Sequence, residues 1–149
     1  MSGVNRITRS SLVLFTPDQM FDLVNDVEAY PSFLPWCRSS NIINKTDDII
    51  DASLELAKGG IHHVFSTRNT LTQGEAIDIE LIDGPFEYLK GLWQFQMIGN
   101  NQGCRVQLDM DFEFSNRLIG MALSPIFTQI SGSLVDAFCK RAQEIYGNN

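Results

Sequence analysis

The sequence predicts an α+β fold, in which an antiparallel sheet packs against a long C-terminal helix. Segments of alternating polar and apolar residues follow one another between residues 50 and 114, with turn sequences between them. A stripe of apolar residues at helical spacing then continues from Leu118 to Ile145. Because the strands have one apolar face and the helix has one apolar stripe, these two surfaces must bury each other.

The N-terminal third of the chain predicts one strand followed by short helices. Residues 6–15 alternate in part, which is typical of a strand. Thr16 and Pro17 then predict a helix start, with Thr16 as the N-cap residue and Pro17 in the first turn. Two prolines exclude a long regular element in residues 30–36, although this segment carries four large apolar side chains that must be buried.

Turn sequences divide the middle of the chain into antiparallel strands. They are Gly59-Gly60, Gln73-Gly74, Asp83-Gly84-Pro85 and the glycine- and asparagine-rich segment 99–103. The last strand alternates most clearly, with carboxylates at Asp109, Asp111 and Glu113 on one side and phenylalanines on the other. We interpret the carboxylates as a solvated outer face, although three of them on one face also resemble a site for a hard cation.

The C-terminal segment predicts a long helix. Asn116 is a suitable N-cap residue, and Pro125 predicts a kink or a break early in the helix. Residues 118–135 carry no charge, a length at which a membrane span becomes conceivable. Six polar or proline positions interrupt this stretch, so we expect an amphipathic helix rather than a transmembrane segment.

Length and charge narrow the class of protein. The 149 residues predict a single domain over residues 1–149, and the net charge of -7 argues against direct DNA binding, which needs clustered basic residues. Three cysteines without close spacing predict reduced thiols in a cytoplasmic protein. We find no signal peptide at the N-terminus.

Catalytic and metal-binding motifs are absent from the sequence. The adjacent His62 and His63 point to opposite faces of a strand and cannot chelate one metal ion together. Cys37 has no motif that links it to a base. We therefore predict a protein that is not an enzyme and that holds neither a catalytic cofactor nor a metal.

The excess of large apolar residues on inward faces is the informative feature. These side chains fill a core, or they line an apolar cavity between sheet and helix, and periodicity does not separate the two possibilities. Thr67, Asn69 and Arg68 would supply polar groups near such a cavity. The apolar candidates are Trp93, Phe95, Phe112, Phe114 and Phe138.

Four separated motifs carry a resemblance to a known family. They are residues 30–37 (Tyr-Pro-Ser-Phe-Leu-Pro-Trp-Cys), 66–69 (Ser-Thr-Arg-Asn), 83–86 (Asp-Gly-Pro-Phe) and 111–116 (Asp-Phe-Glu-Phe-Ser-Asn). In this order they resemble the coenzyme Q-binding START-like family, within the polyketide cyclase and lipid-transport superfamily. The resemblance runs from about Val4 to Tyr146, and it is strongest to a branch of bacterial ribosome association toxins. The mitochondrial members have an N-terminal targeting extension that is missing here, which points to a bacterial cytoplasmic protein.

The resemblance implies a helix-grip fold, in which a curved antiparallel sheet wraps around the C-terminal helix and leaves a hydrophobic tunnel. It implies non-enzymatic binding of ubiquinone or a related isoprenoid, in support of respiration, with transient contact at the surface of the inner membrane. The alternative that it implies is a toxin-type factor that binds the large ribosomal subunit and blocks subunit association. A third class, the cyclases of this fold, has the weakest support because paired acid and base residues are missing.

The ligand-binding residues implied by resemblance and alternation fall into two groups, at the tunnel mouth and along its wall. The mouth residues are Phe33, Leu34, Trp36 and Phe86, and the wall residues are Trp93, Phe95, Phe112, Phe114, Ile130, Leu134 and Phe138. Phe65, Thr67 and Arg68 are further predicted ligand contacts.

Overall fold

Seven strands form one curved antiparallel sheet in the computed structural model, which describes residues 5–147. The strands are β1 (Asn5–Val13), β2 (Cys37–Lys45), β3 (Ile49–Lys58), β4 (Ile61–Thr72), β5 (Ala76–Asp83), β6 (Phe86–Ile98) and β7 (Gly103–Phe114). The helices are α1 (Pro17–Asn25), a 3₁₀-helix (Val27–Ser32) and α2 (Arg117–Tyr146). The predicted α+β fold with a helix-grip arrangement is confirmed; Val4, where the family resemblance begins, lies outside the described residues.

The order of strands in the sheet is β1-β7-β6-β5-β4-β3-β2, so the first strand pairs with the last. Strands β2 to β7 follow one another as antiparallel neighbours, while α1 and the 3₁₀-helix carry the chain from one edge strand to the other. Helix α2 packs on one face of the sheet, which we call the inner face, and the opposite face is the outer face. The aromatic residues of β7 lie on the inner face, where Phe112 is fully buried.

Helix α1 begins where the sequence predicts. Thr16 is the N-cap residue, and its side-chain oxygen accepts a hydrogen bond from the backbone N–H of Gln19 at 3.1 Å. The Gln19 side chain in turn accepts from the backbone N–H of Thr16 at 2.9 Å, which completes a capping box. The predicted irregular segment after this helix is the short 3₁₀-helix, which contains Pro31.

Helix α2 begins after Asn116, whose side-chain oxygen accepts from the backbone N–H of Ile119 at 2.9 Å. Of the kink or break expected at Pro125, the break is not found, because α2 is one helix of 30 residues. Proline removes the N–H that would bond to the carbonyl of Met121. Met121 is 72 % exposed, so water has access to that carbonyl group.

By length and composition alone α2 could cross a membrane. In this fold it is the central helix, and its buried residues lie on the side that faces the sheet. They are Leu123, Phe127, Ile130, Ser131, Val135, Phe138 and Ala142.

The acidic residues of β7 lie on the outer face of the sheet. Asp111 accepts a hydrogen bond from Arg6 Nε at 2.8 Å, across the pair of β1 and β7. Within residues 5–147, no three side chains of metal-binding type are grouped closely enough to hold an ion. The structure therefore gives these carboxylates a surface position without a metal-binding geometry.

Candidate functional site

An apolar cavity lies between α2 and the inner face of the sheet. The space that a water-sized molecule can enter is about 80 Å³. Its walls come from the 3₁₀-helix, from β3 to β7 and from the middle of α2. The lining residues are Val27, Tyr30, Trp36, Ala52, Leu54, Phe65, Thr67, Asn69, Ile79, Leu89, Trp93, Met110, Phe127, Ile130, Ser131, Leu134 and Phe138.

Small side chains create this space at the centre of the fold. Ala52 on β3 lies directly opposite Thr67 on β4 in the strand register, and both are buried. On the facing side of the cavity, α2 presents Ser131, which is 1 % exposed. Because these three lining residues are small where most core positions carry larger apolar side chains, space remains between α2 and the sheet.

Three polar side chains face the otherwise apolar cavity. Thr67 Oγ1 donates a hydrogen bond to Asn69 Oδ1 at 3.0 Å, and Ser131 Oγ donates to Met110 Sδ at 3.5 Å. The amide nitrogen of Asn69 makes no hydrogen bond to any of residues 5–147. A polar group in an apolar space needs a partner. Asn69 therefore provides an N–H donor for an oxygen atom of a bound molecule.

A surface hollow lies beside the cavity and shares two lining residues with it. The hollow, of about 250 Å³, lies between Pro35, Lys58 at the end of β3, and Gln129 on α2. Trp36 and Ile130 line both the hollow and the cavity, so these two side chains form the partition between them. Movement of this pair would join the two spaces.

The ionisable groups near the cavity stay neutral close to neutral pH. Tyr30 is the one ionisable residue among those that line it, and burial raises the pKa of its phenol. The Tyr30 hydroxyl donates a hydrogen bond to the backbone carbonyl of Val24. Burial also raises the pKa of the neighbouring Cys37 thiol to about 11. Neither group is arranged as a nucleophile or a general base.

Half of the fourteen residues implied for the ligand site line the cavity. Thr67 is the polar member of this half, and the others are apolar or aromatic. They are Trp36, Phe65, Thr67, Trp93, Ile130, Leu134 and Phe138. Their contact with a ligand stays a prediction.

Three of the predicted residues form a packed aromatic cluster instead. Phe86, Phe112 and Phe114 surround Phe127 of α2, and the ring centroids of Phe112 and Phe127 are 4.8 Å apart. The rings of Phe86 and Phe114 stack at 5.1 Å. Of these four rings Phe127 lines the cavity, while Phe86, Phe112 and Phe114 pack around it as core.

Three further predicted residues pack around the cavity without lining it. Phe95 stacks against Trp93, on the side away from the cavity, and Leu34 is 1 % exposed within the core. Phe33 lies against Phe138, with their ring centroids 5.4 Å apart, and the guanidinium carbon of Arg141 lies 5.1 Å from the Phe33 ring. None of these three side chains is among the residues that line the cavity.

The expectation that Arg68 lies near the cavity is wrong. Residues on a strand alternate between faces, and the neighbours Thr67 and Asn69 point inward, so Arg68 points to the outer face. There its Nε and Nη2 donate to the two carboxylate oxygens of Asp51 at 2.8 and 2.9 Å. This pairing lowers the pKa of Asp51, which is 4 % exposed. Arg68 thus has a structural partner and no contact with the cavity.

Ten lining residues were not among the fourteen predicted ligand contacts, although the sequence already indicated Asn69 as a polar group near such a cavity. Leu89 and Met110 had a usable signal, because they share inner strand faces with predicted residues. Ser131 had no such signal, because a serine in an apolar helical stretch is expected to interrupt the buried stripe rather than to belong to it. The ten are Val27, Tyr30, Ala52, Leu54, Asn69, Ile79, Leu89, Met110, Phe127 and Ser131.

A sheet wrapped around a C-terminal helix, with an apolar cavity between them, is the architecture of the START-like class of proteins. Sequence comparison agrees with this class. Residues 13–139 match the family described as "Polyketide cyclase / dehydrase and lipid transport", and the chain belongs to this family.

Two curated relatives cover nearly the whole chain. The Ribosome association toxin RatA of Pseudomonas aeruginosa is 43 % identical over 141 residues, which are 95 % of this chain and 97 % of that protein. The mitochondrial Coenzyme Q-binding protein COQ10 homolog B of Xenopus laevis is 28 % identical over 97 % of this chain and 62 % of that protein. The family resemblance seen in the sequence is therefore confirmed.

Solved structures support the fold. A START superfamily protein from Mycobacterium smegmatis superposes with a TM-score of 0.79 at 18 % identity, over 94 % of this chain and 98 % of that one. The Zhui aromatase/cyclase from Streptomyces sp. R1128 gives a TM-score of 0.82 at 13 % identity, over 98 % of this chain and 99 % of that one. At these identities the likeness concerns the fold, which enzymes and non-enzymes share.

Proposed function

We propose that this protein binds ubiquinone or a related isoprenoid lipid in the cavity, without converting it, in support of respiratory electron transport in the bacterial cytoplasm and at the inner membrane. The observation that carries the proposal is the apolar cavity with an unpaired amide donor at Asn69. A quinone ring has two apolar faces and carbonyl oxygens at its edge. Its ring fits between aromatic walls while one carbonyl accepts a hydrogen bond from the amide.

The size of the cavity limits which part of the lipid it holds. Ligand pockets usually measure about 300–1,000 Å³, whereas the space here is about 80 Å³. The cavity therefore takes the ring, and the isoprenoid tail leaves through the hollow once Trp36 and Ile130 move apart. Burial of the tail along apolar side chains contributes about 25 cal/mol per Å² without further polar contacts.

A non-enzymatic role agrees with the chemistry of the cavity. Among the residues that line it, only Tyr30 ionises, and its pKa is raised. Cyclisation of a polyketide needs a proton donor and acceptor at the reacting carbons. The relative named as a coenzyme Q-binding protein gives the quinone further support.

Titration with a short-chain ubiquinone tests the proposal directly. The two tryptophans of the chain, Trp36 and Trp93, both line the cavity. We expect saturable quenching of tryptophan fluorescence, because a quinone ring in the cavity lies against both indoles. Asn69→Leu should weaken binding by about five- to tenfold, since it removes one hydrogen bond of about 1 kcal/mol.

Thr70→Val is the matched control for this titration. Thr70 is the next residue on β4 and lies exposed on the outer face, so its replacement should leave the affinity unchanged. Native mass spectrometry of protein from a quinone-producing host adds an independent readout. Absence of both saturable quenching and a co-purified quinone would refute quinone binding.

The second candidate function is association with the ribosome. It is favoured by one specific observation, the identity of 43 % to a protein named as a ribosome association toxin. Contact with ribosomal RNA is electrostatically unfavourable for a protein of net charge -7. A basic protein of the large subunit that contacts the acidic outer face is the more favourable partner, and occupation of the subunit interface would block association.

Cosedimentation with isolated large subunits tests this second candidate. We expect binding at low salt that falls as salt rises, because exposed charges are screened. The double substitution Asp109→Asn and Glu113→Gln, on the outer face of β7, should weaken it several-fold. The same change of charge at Asp47→Asn and Asp48→Asn, in the turn between β2 and β3, should have no effect. A wild-type protein that does not sediment with large subunits at low salt excludes this function.

A further inference from the structure

The N-terminal half of α2 is apolar on its exposed side as well as on its buried side. Leu118 and Met121 are 80 % and 72 % exposed, and Ala122 and Pro125 are exposed beside them. These four residues have helical spacings of three, four and seven, so they lie on one face. We call this face the apolar strip. A soluble surface seldom leaves two large apolar side chains open together on one helix face.

The segment of α2 that carries the strip has few charges. Between residues 114 and 135 the only charged residue is Arg117, directly before the strip. Lys58 lies on the other side, where it lines the hollow together with Gln129 and Ser133 of α2. The segment has no carboxylate of its own, while Asp83, Glu87 and Glu113 lie on the neighbouring strands near the start of α2. The strip is thus an apolar surface with cations at its rim.

The strip leads into the hollow beside the cavity. Gln129 follows Pro125 by four residues, and Ser133 follows Gln129 by four, so both continue the exposed side of α2. The tip of the β3–β4 hairpin lies close by, since a Cβ atom on Gly59 would be 4.0 Å from Ile126 Cδ1. An apolar molecule that enters the hollow from the strip meets one charged residue among those that line the hollow, Lys58.

We propose that the apolar strip, with Arg117 and Lys58, docks on the surface of an anionic lipid bilayer. Leu118 and Met121 insert between the lipid chains, and the two cations contact phosphate groups at the headgroup level. A bilayer fits this surface better than a protein, because the strip offers no hydrogen-bonding side chain that would specify a protein partner. The docking places the hollow against the membrane, and it requires no ligand in the cavity.

Vesicle flotation tests the docking with lipids that contain no quinone. We expect the wild-type protein to float with vesicles of phosphatidylglycerol and phosphatidylethanolamine, and to bind phosphatidylcholine vesicles more weakly. Leu118→Ser with Met121→Ser should lower the partition coefficient by at least about tenfold, because two inserted apolar side chains are lost. Lys58→Gln and Arg117→Gln should each lower it about fivefold on anionic vesicles only.

Leu12→Ser with Leu14→Ser is the matched control, because these leucines are 69 % and 88 % exposed at the far end of β1. This control should float like the wild type. Failure of the wild type to float with anionic vesicles, or equal loss in the two leucine variants, overturns the proposal. So does a wild-type dimer that the double substitution at 118 and 121 converts to a monomer, since the strip would then bind a second copy. Quenching by soluble ubiquinone should persist in that variant, which separates this proposal from ligand binding.

Discussion

Phe112→Ala is expected to lower the free energy of unfolding by about 3–5 kcal/mol, a large part of the 5–15 kcal/mol that stabilises a typical domain. The Phe112 side chain is fully buried, and its ring contacts those of Phe86, Phe114 and Phe127, at centroid distances of 6.4, 5.6 and 4.8 Å. Truncation removes the apolar surface of the ring and all three edge contacts, and it leaves a void among rigid neighbours that cannot close it.

Urea denaturation followed by circular dichroism measures this loss. Phe112→Leu keeps most of the volume and should cost less than about 2 kcal/mol. Leu14→Ala, at an exposed position, should stay within about 0.5 kcal/mol of the wild type. Phe112→Ala should also leave quinone affinity unchanged under folding conditions, because Phe112 belongs to the filled core. A loss of quinone affinity without a loss of stability would show that Phe112 contacts the ligand, as alternation alone suggested.

Sequence periodicity predicted the faces of the strands but not which parts of the inner face are filled. Phe112 on β7 and Trp93 on β6 both alternate inward, and both are buried. Phe112 lies in the aromatic cluster around Phe127 of α2, whereas Trp93 packs edge-on against Phe138 of α2, with ring centroids 5.4 Å apart, and lines the cavity. This difference depends on pairs of residues that are far apart in sequence, which a period of two does not encode.

Local signals predicted the helix starts well and the edge strand poorly. The caps at Thr16 and Asn116 need only neighbouring residues, so their chemistry is visible in the sequence. Strand β2 went unpredicted, because its side chains are mostly exposed and its pairing with β3 contains two register shifts. An edge strand of this kind lacks the regular alternation that marks a strand with one buried face.

Only some of the polar residues that line the cavity could be predicted from the sequence. Thr67 and Asn69 follow from the alternation of β4, which also places Arg68 on the opposite face. No local pattern predicts that Ser131 lines the cavity. This role depends on the small residues Ala52 and Thr67, which line the same cavity and are distant in sequence. The cavity is thus a property of three elements together: the family resemblance implied that it exists, and no local pattern predicted its position.

Ser131→Leu is expected to stabilise the protein by about 1 kcal/mol and to weaken quinone binding by about thirtyfold. Leucine favours helix more than serine, and its side chain extends into the cavity. The hydroxyl that is lost has only the Met110 sulfur as a partner, at 3.5 Å. A ring that enters the filled cavity must displace packed atoms, which costs about 2 kcal/mol.

Thermal unfolding and fluorescence titration of the same sample measure the two effects of Ser131→Leu. Higher stability together with weaker quinone binding distinguishes this variant from one that is misfolded. Thr128→Leu adds the same side chain on the exposed side of α2; it should gain at most the helix-propensity part of the stabilisation, about 0.5 kcal/mol, and leave quinone affinity unchanged. Ala52→Leu fills the cavity from the opposite wall and should reproduce the loss of binding. If both filled variants bind quinone as the wild type does, the ligand lies outside this cavity, because two independent side chains cannot occupy a site and leave it open.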